Sequence, residues 1–204
     1  MKPRTPPPAS QLVILTGPNG AGQSTFYEVF LKPSRLPFLN ADVIEAKTGI
    51  ASVEVARILD AMRDQLIERG HGFITETVFS DPVGAKLAML RKAVDAGYDV
   101  TLIYIAVEPA LSALRIDQRL AFGGHDVPRD RIASRFERSL VNLQGALRFV
   151  PLVKLYDNSS IDEPYRLLAI FEAGQRTFVA PGKLPRWAAP IVRPRTRRAP
   201  RRKR

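Results

Sequence analysis

Apolar and polar residues change their period repeatedly along the chain, and each change marks an element. Residues 12–15 (Leu-Val-Ile-Leu) form a continuous apolar run, the pattern of a strand buried on both faces. A glycine-rich turn follows, then a helix expected from Ser24 to about residue 31 and stopped near Pro33. Residues 36–40 read as a short buried strand. Val55, Ile58, Leu59, Met62 and Leu66 recur at helical spacing, predicting a helix over 53–69 with Ser52 as its N-cap and Gly70 at its end. A strand is expected over 73–78, and Asp81-Pro82 starts a helix to residue 96, closed by Gly97. Residues 99–107, rich in β-branched and aromatic side chains, give the clearest strand pattern. Pro109 opens a helix to about residue 121, and a glycine-punctuated loop (122–128) leads into a helix over 130–149. That helix carries Ile132, Phe136, Leu140, Leu143 and Leu147 on one face. A strand at 153–156 and a terminal β-hairpin (167–171 and 177–179) complete the reading. Strands alternating with helices predict an α/β, three-layer fold: a mostly parallel sheet, helices on both faces, a helical lid and a small C-terminal hairpin. Ligands of such sheets bind at the carboxyl ends of the strands.

Composition narrows the picture. There is no cysteine, which excludes disulfides and Cys-based metal sites, and His71 and His125 are the only imidazoles. The proline-rich start (1–10) lacks the apolar core of a signal peptide. The longest apolar run, 102–107, falls far short of the ~20 residues a spanning helix needs. A cytoplasmic protein with no membrane contact is expected. The net charge of +11 is unevenly placed: residues 181–204 hold ten basic side chains and no acidic one. With those ten, Lys2 and Arg4 set aside, residues 5–180 carry a net −1. The expected organisation is a disordered N-terminus (1–10), one folded domain (11–180) and a disordered Arg/Pro-rich tail (181–204). Such a tail suits non-specific contact with nucleic acid or another polyanion, or simple solubilisation. Trp187 is its one aromatic residue.

Behind the first strand lies Gly17-Pro18-Asn19-Gly20-Ala21-Gly22-Gln23-Ser24-Thr25, with Gly17 and Gly22 at the spacing of a phosphate-binding loop. Glycines let successive N–H groups turn toward a phosphate, and the helix start behind them adds partial positive charge. Ser24 occupies the position of a Mg²⁺-binding hydroxyl. Gln23 occupies the position of the lysine that reaches the β- and γ-phosphates. Asp42, just past a strand, is placed to accept a proton from a substrate hydroxyl or to cap a helix. Glu76 and Thr77 end the third strand, where an acid either binds something or marks an exposed edge. Arg115 and Arg119 lie four apart on one helix, and Arg131, Arg135 and Arg138 line a stripe of the next. Two basic helices hinged at Gly123-Gly124 make either a lid over phosphate or a salt-bridged solvated surface.

The glycine loop, the runs Phe38-Leu39-Asn40-Ala41-Asp42 and Glu76-Thr77-Val78-Phe79-Ser80, and Arg115-(x3)-Arg119-(x3)-Gly123-Gly124-His125-Asp126-Val127-Pro128 together resemble the zeta toxin family. Ile132-(x2)-Arg135-Phe136 and Asp157-Asn158-Ser159 extend the resemblance over residues 10–180. It implies a P-loop kinase-like fold and an ATP- and Mg²⁺-dependent phosphotransferase of a toxin–antitoxin pair, acting on a hydroxyl of a nucleotide sugar such as UDP-N-acetylglucosamine. By the same resemblance, Asp42 is the catalytic base, and Glu76, with Thr77 beside it, contacts the sugar. Arg119 and one of Arg131 or Arg135 hold phosphate, and Arg115 adds a substrate contact. Gln23 departs from the family pattern. Loss of one charged donor in phosphoryl transfer costs ~10²–10³ in rate, so a weakly ATP-binding, poor kinase is expected, or a catalytically silent nucleotide-binding protein.

Overall fold

A computed structural model describes residues 9–121 and 129–193. Seven strands form one sheet in the order β2-β3-β1-β4-β5-β6-β7. Strand β1 (Gln11–Thr16) lies between β3 (Phe73–Thr77) and β4 (Asp99–Ala106), parallel to both. Strand β2 (Phe38–Leu39) extends the parallel part at one edge and β5 (Leu152–Asp157) at the other. Beyond β5, β6 (Arg166–Glu172) and β7 (Gln175–Val179) run antiparallel, making the expected hairpin.

The period-2 alternation of the central strands sorts their side chains into two cores. Leu12 and Ile14 of β1 and Val100, Leu102, Tyr104 and Ala106 of β4 face the larger one. There they meet α3 (Ser52–Glu68) through Val55, Leu59 and Ile67, and α4 (Ala85–Asp95) through Leu90 and Ala93. The helix α6 (Arg129–Ala146) adds Phe136 and Leu143. Leu15, Ile103 and Ile105 face the other side, under Phe26 of the short helix α1 (Gln23–Phe26). A small third cluster joins Ile116 of α5 (Pro109–Ala121) to Ile132 of α6. Among the described residues, no helix is long and apolar enough to cross a membrane.

Several local expectations are displaced by tertiary contacts. The helix from Ser24 passes into a π-helical turn (Tyr27–Leu31) and a 3-10 turn (Lys32–Ser34). Ala51, not Ser52, caps α3 and provides no side-chain bond. Helix α4 begins at Ala85, behind Gly84, rather than at Asp81-Pro82. The Asn142 amide of α6 donates to the carbonyls of Phe79 (2.9 Å) and Asp81 (3.1 Å), and Arg138 donates to Ser80 (3.0 Å). These bonds hold residues 79–81 as a loop. Buried Arg63 of α3 donates to the Thr75 hydroxyl (2.8 Å) and to Asp60 (2.7 Å), tying α3 to the middle of β3.

The largest correction concerns the C-terminal boundary. Leu184, Trp187, Ala188, Ile191 and Val192 are buried in the larger core, and α7 (Ala189–Val192) closes the segment. The Trp187 ring lies 5.8 Å from that of Tyr104, whose hydroxyl bonds Ser139 of α6 at 2.7 Å. Arg166 donates to the carbonyls of Pro181 and Lys183, and Arg176 to that of Val192. Residues up to 193 therefore belong to the domain: their apolar side chains recur at helical spacing beneath a basic composition. The remaining basic residues, 194–204, lie outside the described part, as do residues 1–8. Replacing a buried Trp with Ala costs ~3–5 kcal/mol. Trp187→Ala is expected to lower stability by about that amount in urea unfolding. Truncation after residue 193 is expected to leave the midpoint unchanged, and truncation after residue 180 to remove cooperative unfolding.

Candidate functional site

The glycine loop leaves β1 at the carboxyl edge of the sheet and ends at the start of α1. Two of its glycines are required by geometry. A Cβ on Gly17 (φ +150°) would lie 1.8 Å from the Ile105 carbonyl oxygen of β4. One on Gly22 (φ +95°) would lie 2.6 Å from the Asn158 amide nitrogen.

The loop carbonyls are held one after another, that of Pro18 from within the loop and the next four from outside it. Pro18 accepts from Gln23 Nε2 (3.1 Å) and Asn19 from Ser112 Oγ (2.6 Å). Gly20 accepts from Arg115 (3.3 Å), Ala21 from Asn158 Nδ2 (2.9 Å) and Gly22 from the Tyr165 hydroxyl (2.9 Å). In a trans peptide the N–H of the next residue points opposite to the carbonyl. Fixing the carbonyls of residues 19–22 outward thus turns the N–H groups of Gly20, Gly22 and Gln23 toward the other side. The Ala21 N–H is the exception, donating back to Pro18 at 3.2 Å. A row of inward N–H groups ahead of a helix start is an anion-binding concavity.

This arrangement reassigns Arg115. The sequence places it at the substrate, but its guanidinium donates to the carbonyls of Gly20 and Asn158 (3.0 Å), so it braces the loop. Ser112, Asn158 and Tyr165 had no role in the sequence reading. Asn158 was visible only as part of the run closing β5, and nothing local marked Ser112 or Tyr165 as partners of a loop more than 90 residues away. Arg135 of α6 is half-buried and lines a narrow crevice with Pro18, Asn19 and Ile132, while Arg131 on the same helix is exposed. Arg119 lies on α5, but its side chain is outside the described residues, as is the loop 122–128 with Gly123, Gly124 and His125.

The acidic side of the site comes from β2 and β3. Asn40, not Asp42, caps α2 (Ala41–Thr48): its Oδ1 accepts from the Val43 N–H at 3.0 Å. The Asn40 amide also donates to the Glu76 carboxylate at 2.6 Å. Asp42 sits in the first turn of α2, exposed, close enough for its charge to act on Glu76. Thr77 accepts at its carbonyl from the Thr16 hydroxyl (2.7 Å), joining the ends of β3 and β1. The Ser24 hydroxyl, at the start of α1, lies close enough to the Glu76 carboxyl to favour its charged form. Ser24 and Asp42 thus both act on Glu76, next to the loop.

Burial pushes the Glu76 carboxyl up to about 7, and the Asp42 charge adds to the rise. Hydrogen bonds from Asn40 and Ser24 oppose it. An acid raised in the folded state stabilises the fold most below its unfolded value, and that contribution disappears as pH rises through about 7. From the ordinary value of 4.5 to about 7, the loss integrates to about 3 kcal/mol. Glu76→Gln is expected to flatten this decline in unfolding free energy between pH 4.5 and pH 8, measured without ligand. An unchanged slope in the variant would place the titration elsewhere.

Comparisons with known proteins bear on the fold and on the family. No curated protein sequence matches the chain. Among solved structures, it resembles AvrRxo1-ORF1 in a complex of AvrRxo1-ORF1 and ORF2 with ATP: TM-score 0.63, 16% identity, 82% of this chain and 60% of that one. The chain thus spans only about 60% of that protein's length. It also resembles the PezAT chromosomal toxin–antitoxin system of Streptococcus pneumoniae: TM-score 0.61, 18% identity, 86% of this chain and 76% of that one. A putative kinase from Chloroflexus aurantiacus superposes with a TM-score of 0.50 at 20% identity, over 64% of this chain and 80% of that one. At these identities the likeness establishes the fold, a P-loop kinase-like α/β architecture. The sequence profile described as Zeta toxin matches residues 41–166, from the start of α2 into β6. The match spans Asp42, Glu76, the arginine-bearing helices and Asn158, leaves out the glycine loop at residues 17–25, and covers more than half of the chain. The chain belongs to the zeta toxin family.

Proposed function

We propose that this chain is an ATP-dependent phosphotransferase of the zeta toxin type, with a hydroxyl of a nucleotide sugar such as UDP-N-acetylglucosamine as acceptor and with activity depressed by Gln23. The observation that carries the reading is the Glu76 carboxylate, held by Asn40 with Asp42 and Ser24 near it, beside a loop whose carbonyls at residues 19–22 are pinned outward. The inward N–H groups would hold the nucleotide's phosphates, and the Asp42 carboxylate would take the proton of the attacking hydroxyl. Glu76, held by Asn40, would position that hydroxyl. Arg135, next to Pro18 and Asn19, is the better placed of the two α6 arginines to meet a phosphate, and Arg119 would approach from α5.

Mg²⁺ fits the donor set. Ser24, Glu76 and Asp42 present oxygen atoms only, the ligands a hard cation prefers. No group of three or more His, Cys, Asp or Glu side chains capable of holding a metal occurs among the described residues, so Mg²⁺ would rest partly on phosphate oxygens. When bound, it would neutralise charge on the transferring group. An antitoxin partner and a cytoplasmic location belong to the same proposal. So does polyanion binding by the basic residues after 193, which include Arg195, Arg197, Arg198, Arg201, Arg202, Lys203 and Arg204.

A second reading, a silent nucleotide-binding protein, is favoured by one observation. The Gln23 amide is turned back onto Pro18 and brings no charge to the loop. The two readings separate on restoring the lysine. Gln23→Lys is expected to raise ATP-dependent phosphorylation of a nucleotide sugar by ~10²–10³, and Asp42→Asn in that background to abolish it. Labelled-phosphate transfer across a panel of nucleotide sugars makes the measurement. If Gln23→Lys and the present chain are equally inactive on every acceptor, the phosphotransferase reading fails.

A further inference from the structure

We propose that the loop of this chain holds nucleoside diphosphates as tightly as nucleoside triphosphates, because Gln23 removes the donor that rewards the terminal phosphate. The inference rests on the nucleotide reading above and specifies its ligand. In loops of this spacing the backbone N–H groups cradle the inner phosphates, and a lysine extends to the outermost one. Gln23 is 7% exposed, and its Nε2 donates to Pro18 at 3.1 Å across the first turn of the loop. Its amide is one bond shorter than a lysine and neutral. It can serve the phosphate seated in the loop and has no charge to offer the one beyond.

The loop itself, residues 17–25, holds no cation that could take over. The guanidinium of Arg115 is directed to the carbonyls of Gly20 and Asn158. Arg135, the α6 arginine placed to meet a phosphate, stands beside Pro18 and Asn19, at the start of the loop and not at its Ser24 end. Near Ser24, where the loop runs into α1, stands the carboxyl of Glu76, with that of Asp42 close to it. A third phosphate adds negative charge next to these acids, while the inward N–H groups and the helix start serve diphosphate and triphosphate alike. The terminal phosphate then brings little net affinity.

The test is calorimetric titration of the full chain with AMP, ADP and ATP, with and without Mg²⁺. For the chain with Gln23, ADP and ATP are expected within about threefold of each other in Kd, and AMP at least ~10-fold weaker. Gln23→Lys is expected to tighten ATP by ~10-fold more than ADP. Gln23→Met keeps the volume and removes the donor. It should weaken ADP and ATP together and preserve their ratio. Melting curves report whether each variant folds, and the ratio in the unsubstituted chain decides alone if one does not. ATP binding ~10-fold or more tighter than ADP in the unsubstituted chain would overturn the inference and leave the nucleotide reading standing. So would binding seen only after Gln23→Lys. Binding of no nucleotide by either protein would remove the nucleotide reading and the inference with it.

Discussion

The outward pull on the carbonyls of residues 19–22 is the constraint around which the carboxyl edge of the sheet is arranged. Peptide planarity makes every carbonyl contact on one side of the loop a statement about an N–H on the other. The partners come from far apart: Ser112 and Arg115 from α5, Asn158 from the end of β5, Tyr165 from the entry to β6. Their convergence depends on the strand order. Strand β4, which leads into α5, lies directly beside β1, and β5 lies beside β4. Each hydrogen bond contributes only ~1 kcal/mol net, but a shift of either connection would release several at once.

The other flank of the loop is acidic, and there too one residue serves two purposes. Asn40 caps α2 with its oxygen and holds Glu76 with its nitrogen, so the helix that carries Asp42 and the strand that carries Glu76 are fixed by a single side chain. One residue earlier in β3, Thr75 receives Arg63 and itself donates to the Leu39 carbonyl (3.2 Å). The short edge strand β2 is thereby anchored by side chains as well as by its ladder. With Gln23 neutral, the described part of the site combines these acids with backbone donors and the α6 arginine near Pro18, a charge balance unlike that of a lysine-bearing loop.

Features set by neighbouring residues were legible in the sequence; features set by distant ones were not. The buried run before Gly17, the alternation of strands with helices and the turn at Ala173-Gly174 each depend on a few adjacent residues. The start signal at Asp81-Pro82 was real locally but lost to Asn142, more than 60 residues away. Arg115 and Arg119 share one helix face by their i,i+4 spacing, and only the three-dimensional structure shows Arg115 turned onto the loop. The tail was misplaced for a different reason. Ten basic residues in 181–204 masked the spacing of Leu184, Trp187, Ala188, Ile191 and Val192, which was present all along. Asp42 and Glu76 stand out in the sequence by their positions at strand ends, whereas Asn40, which holds Glu76 and caps the helix of Asp42, reads there only as the end of a short strand.

The packing of Trp187 against Tyr104 has a consequence for the order in which the molecule can be completed. Tyr104 sits at the centre of the sheet on β4, and its ring is covered by a segment that leaves the ribosome some eighty residues later. Until that segment emerges, the face of β4 beneath α6 has a hole the size of an indole. The nascent chain can pair its parallel strands and close the glycine loop while the core under α6 is still open. Folding along the chain thus ends, as it begins, on the central strands.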